Sequence, residues 1–98
     1  MSKRVIMPRL TPAQRCGLAL LARPGAEARP GQHTVRWSVV ANEDGIVLGT
    51  IHAETLRALR TAGLVEWYAG DDGWNDYRHR ISAAGRRVAD SLRVDVVQ

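Results

Sequence analysis

Thr50-Ile51-His52-Ala53-Glu54-Thr55-Leu56-Arg57-Ala58-Leu59-Arg60-Thr61-Ala62-Gly63-Leu64-Val65 carries a helix start, a helical period and a helix stop in one run. Thr50 is a residue type that caps a helix N-terminus, and Glu54 falls in the first turn, where the helix dipole favours an anion. Gly63 followed by apolar Leu64 is the pattern of a left-handed C-cap. Thr55, Leu56 and Leu59 share one side of the predicted helix, which turns Ala53, Glu54, Arg57, Arg60 and Thr61 outward.

Downstream, Leu64-Val65-Glu66-Trp67-Tyr68 and Tyr77-Arg78-His79-Arg80-Ile81 are strand-like runs joined by a segment rich in Gly, Asp and Asn, which predicts a β-hairpin over 64–82. Alternation puts Tyr77, His79 and Ile81 on one face and Arg78 and Arg80 on the other. Ser82 then starts a last helix with Gly85, Val88, Ala89 and Leu92 inward and Arg86, Arg87, Asp90 and Arg93 outward; the tail from Val94 to Gln98 reads as a short strand or a frayed end.

Upstream, Thr11-Pro12-Ala13-Gln14 has the cap, the proline at the first helical position and the glutamine that closes a capping box. Ala13, Cys16, Gly17, Leu20 and Leu21 form the expected inner stripe of this first helix, which buries the single cysteine. Residues 24–34, with two Pro-Gly pairs, read as a surface loop with no regular element. Val35 to Val40 and Ile46 to Leu48, either side of Asn42-Glu43-Asp44-Gly45, predict a central hairpin.

Composition sets the outer bounds. Ninety-eight residues, 45% of them apolar, make one domain with a modest core, and no apolar run is long enough for a signal peptide or a membrane span, so a cytoplasmic protein is expected. Thirteen of the fourteen basic residues are arginine and alanine is abundant, as in GC-rich bacterial and phage genomes. The net charge of +4 favours polyanionic partners. Its distribution is uneven: Met1 to Arg36 carries +6, Trp37 to Tyr77 carries −5 and Arg78 to Gln98 carries +3.

Helix, Gly-Leu-Val, hairpin, then Tyr77-Arg78-His79-Arg80-Ile81-Ser82-Ala83-Ala84-Gly85-Arg86 resembles winged helix-turn-helix proteins, especially the MarR- and PadR-like regulators. The resemblance rests on Thr55 to Val65 and Tyr77 to Arg86 and covers, with the intervening wing, about a third of the chain. It implies an α+β winged-helix domain of three helices with a C-terminal wing and, here, the additional central hairpin. The chain departs from the family where relatives carry a second helix and tight turn, since strands are predicted there instead.

The function so implied is transcriptional regulation through double-stranded DNA, by a protein expected to be a homodimer. Arg57 and Arg60 are the candidates for guanine edges, because arginine makes bidentate contacts to O6 and N7, and His52 for a base or phosphate. Arg78 and Arg80 on the wing strand, and Lys3 and Arg4 in a basic arm over residues 1–9, are candidate phosphate contacts. A second reading makes the domain a protein-interaction module, such as a phage effector, with Tyr68 and Trp74 exposed beside Asp71 and Asp72 while Trp67 and Tyr77 pack inward. No catalytic role, cofactor or metal is expected: His33, His52 and His79 lack the companions of a ligand motif, and no nucleophile with its base is in view.

Overall fold

A computed structural model describes residues 9–30, 36–69 and 77–97, with side chains described as far as Leu92. The first helix, α1 (Pro12–Leu21), opens on the expected reciprocal cap: Thr11 Oγ1 accepts from the Gln14 amide, and Gln14 Oε1 accepts from the Thr11 amide, both at 3.1 Å. Its inner stripe is turned by one residue from the expected one. Gly17, Leu18 and Leu21 are buried and Cys16 is exposed. Cys16 to Leu21 is an unbroken run of apolar and small residues, so the period alone leaves the stripe ambiguous. The contact decides it, because Gly17 packs against Ile51, whose Cδ1 would stand 2.5 Å from a Cβ at this position and would have to shift to make room for one.

The segment expected to be a featureless loop contains a strand. β1 (Glu27–Pro30) pairs antiparallel with β2 (Trp37–Ala41) on one side and with β5 (Tyr77–Ile81) on the other. Glu-Ala-Arg-Pro has poor strand propensity, so the cause is tertiary: Ala26 and Ala28 are small enough to enter the core, and neighbours flank the backbone on both sides.

The central hairpin forms, joining β2 to β3 (Val47–His52), and it is longer than expected. Asn42 Oδ1 accepts from the amides of Asp44 and Ile46 at 3.0 Å, and Gly45 takes φ 78°, which closes the turn. Strand pairing runs on through Thr50 and His52, opposite Val39 and Trp37. Thr50 is therefore in the sheet, and α2 (Ala53–Thr61) is capped by His52, whose Nδ1 accepts from the Glu54 amide at 3.1 Å. Burying Ile51 within the sheet outweighs the cap that Thr50 could have supplied.

At its other end α2 stops as expected. Gly63 has φ 76° and donates to the Arg60 carbonyl, while Leu64 donates to the Leu59 carbonyl, each at 3.0 Å; these are the two bonds of a Schellman motif. β4 (Val65–Ala69) then pairs with β5 in the register Val65↔Ile81, Trp67↔His79, Ala69↔Tyr77. The tip of this hairpin, residues 70–76, lies outside the described residues, as do the N-terminal eight and residues 31–35.

Ser82 joins three elements. Its amide donates to the Leu64 carbonyl, its hydroxyl donates to the Gly63 carbonyl at 2.7 Å, and the hydroxyl accepts from the Gly85 amide at 3.0 Å. A Cβ on Gly85 would stand 2.0 Å from the Leu64 carbonyl oxygen, so α3 (Ala83–Val97) rests directly on the turn after α2. Gly85, Val88 and Ala89 face inward as expected, and the helix continues to Val97 in place of the expected strand or frayed end.

The result is an α+β domain of three helices and one five-stranded antiparallel sheet in the order β3-β2-β1-β5-β4. Ala28, Val40, Ile51, Val65 and Ile81 supply the sheet's share of the core, against Leu18, Leu21, Leu56, Leu59 and Val88 from the helices. No helix among the described residues is long and apolar enough to cross a membrane.

Candidate nucleic-acid interface

Alternation along β5 determines which candidate residues can meet. His79 lies on the helix side of the sheet, paired with Trp67 on β4 and Ala28 on β1. Arg78 and Arg80 therefore lie on the opposite face. The structure thus separates the four arginines into two pairs on two sides of one strand.

The first pair sits on α2. Arg57 and Arg60 are both exposed and, three residues apart, lie one turn from each other on the same side of the helix. With Ala53, Glu54 and Leu56 of α2, Ser38 of β2 and His79 of β5 they line a groove of about 380 Å³. Among the described residues neither guanidinium makes an ion pair or a side-chain hydrogen bond. His79 is half-buried, and its pKa is lowered from the ordinary 6.5, first by burial and second by the positive charge of Arg60. Burial and Arg60 thus both favour the neutral imidazole.

The second pair is engaged. Arg80 lies over the Tyr68 ring, its Cζ 5.1 Å from the centroid, and the Tyr68 hydroxyl donates to Glu27 Oε2. Arg78 also has an interaction partner. Glu27, Tyr68 and Arg80, from β1, β4 and β5, thus form a stack across three adjacent strands, and Arg23, Glu43 and Arg86 line the same hollow of about 260 Å³.

His52 has its own structural work. Besides capping α2 it meets Trp37 edge to face, with ring centroids 5.0 Å apart and planes at 87°. Trp67 and Tyr68 on β4 exchange their expected exposure. Trp67 is 52% exposed and packs edge to face on half-buried Tyr77, whereas Tyr68, expected to be exposed, is half-buried. The hydrogen bond to Glu27 and the cover of Arg80 account for this, since both lie on the face that Tyr68 occupies. Lys3, Arg4, Asp71, Asp72 and Trp74 lie outside the described residues.

His79, with Ser38 and Glu54, is among the groove residues that sequence reasoning did not single out for the site. Its inward alternation is legible in the sequence, but the approach of α2 to β5 is not. Among the described residues no three of His, Cys, Asp and Glu stand together as a metal site. Comparison with protein families, with curated proteins and with solved structures gives no match for this chain.

Proposed function

We propose that this chain is a small DNA-binding protein of winged-helix type, acting as a transcriptional regulator, with α2 as the element that enters the major groove. The observation that carries the reading is the presentation of Arg57 and Arg60, exposed one turn apart and without an ion-pair partner among the described residues. An arginine so placed can put its paired donors on guanine O6 and N7, at about 1–3 kcal/mol of discrimination per contact. Glu54, one turn earlier and also exposed, offers an acceptor to a cytosine amino group. A hairpin that follows α2 directly and is tied to it through Ser82 supports the same reading. The basic arm with Lys3 and Arg4 completes it as a source of phosphate contacts. Arg80, committed to Tyr68 on the far side of β5, serves the fold more than the ligand in this arrangement.

The test is anisotropy titration of labelled random duplex at several salt concentrations, with the unmodified chain and with Arg57→Ala/Arg60→Ala. Affinity falling steeply with salt, and falling again in the variant, supports the proposal. Absence of binding at low salt ends it. That outcome favours the protein-interaction reading, in which exposed Trp67 takes the place of Tyr68 as the anchor.

A further inference from the structure

The two edges of the sheet are built differently. β4 carries a charge at Glu66 along its exposed side, as edge strands that must avoid other chains commonly do. β3, the opposite edge, reads Val-Leu-Gly-Thr-Ile-His, with no lysine, arginine, carboxylate or proline. Among the described residues it pairs with β2 alone. Apolar side chains are exposed at both of its ends: Ile46 at 59% and Val47 at 62% where the strand begins, and Trp37 at 46% beside His52 where it finishes. The register shift opposite Val40/Ala41 bends the beginning of the strand, which leaves Gly49 to His52 as the straight pairing segment.

We infer that β3 is the dimerisation edge of this protein and that its occupant is a second copy of the same chain, paired antiparallel about a two-fold axis. Antiparallel pairing brings the Ile46–Val47 end of one copy beside the Trp37–His52 end of the other, so exposed apolar groups meet at both ends. An uncharged strand can oppose itself without the repulsion that like charges would cause. The interface is isologous and therefore closes at two copies. Pairing confined to this short segment, with three flanking apolar side chains, makes a contact below the size of a standard stable interface, so the dimer is weak and concentration-dependent. Each β3 runs directly into His52 and α2, so the two-fold also relates the two α2 helices. The inference does not rest on DNA binding, and its test uses none.

Sedimentation of the full chain from micromolar to millimolar concentration is expected to show monomer passing to dimer, with exchange of the Thr50 and His52 amides, which alternate away from β2, slowing as concentration rises. Val47→Lys/Thr50→Lys changes two exposed side chains of the strand and is expected to raise the dimer dissociation constant at least about tenfold, with an unchanged far-ultraviolet dichroism spectrum. A monomer at every concentration overturns the inference, including the case in which the outward amides of Thr50 and His52 are already protected in the monomer by another segment of the chain. A dimer that the double variant leaves intact overturns it equally.

Discussion

Arg57 and Arg60 on α2 and Arg78 and Arg80 on β5 are equally spaced for their elements and equally charged, and sequence alone ranks them together. In the folded chain they differ. The α2 pair borders a groove and makes no ion pair with a described residue, whereas Arg80 covers the Tyr68 ring and Arg78 has a partner. A cation resting on an aromatic face keeps its N–H donors but is restricted in where it can carry them. One without such a contact gives up only water and side-chain freedom. Outward direction, which periodicity can supply, is thus a weaker indicator of a binding role than the lack of an internal partner.

The frame that keeps the two pairs apart is the junction of Gly63, Leu64, Ser82 and Gly85, and it offers the largest effect. Gly85→Ala drives a methyl group against the Leu64 carbonyl, a backbone atom that cannot swing aside. Chemical denaturation is expected to show a loss of about 3 kcal/mol or more, the upper end of overpacking costs.

Arg57→Ala/Arg60→Ala isolates the α2 pair. DNA affinity is expected to fall about 100-fold, from two contacts of roughly 1–3 kcal/mol each, while stability stays within about 0.5 kcal/mol. Loss of stability in place of affinity would reverse the comparison. The reciprocal variant, Arg80→Ala, is expected to cost about 0.5–1 kcal/mol of stability through the lost cation–π contact and to leave DNA affinity within about twofold.

The smallest effect is the dependence on pH. Because burial and Arg60 lower the His79 pKa in the folded state, the unfolded chain takes up the proton first as pH falls below 6.5. Stability contributed by His79 is therefore complete above that value and declines below it, until the folded state protonates too. Thermal melts between about pH 5 and 7.5 are expected to show this slope, and His79→Gln to flatten it. Phosphates near α2 oppose the influence of Arg60 and raise the same pKa. DNA affinity is accordingly expected to rise as pH falls through this window, and an affinity independent of pH would place the duplex away from the groove.

Elements specified by short-range chemistry are legible in the sequence itself. The capping box at Thr11 and Gln14, the left-handed turn at Gly63 and the hydroxyl of Ser82 each satisfy backbone groups a few residues away, so their signatures are written in adjacent letters. From these follow α1, α2, the hairpin after it, the start of α3 and the outward direction of Arg57 and Arg60. The β1 strand is not legible, because Glu-Ala-Arg-Pro becomes a strand only when β2 and β5 flank it. The exchange of Thr50 for His52 as cap, the exposure of Cys16 and the reversal of Trp67 and Tyr68 have the same origin. Each depends on a partner distant in the chain: Val39 for Thr50, Ile51 for Gly17 and hence for the rotation of α1, Glu27 for Tyr68. Local hydrogen bonding and periodicity determined which segments are helices and which way α2 and the start of α3 face. Pairing between remote segments, which no local pattern encodes, decided how many strands the sheet has and that Arg80 covers Tyr68 while Arg57 and Arg60 border a groove.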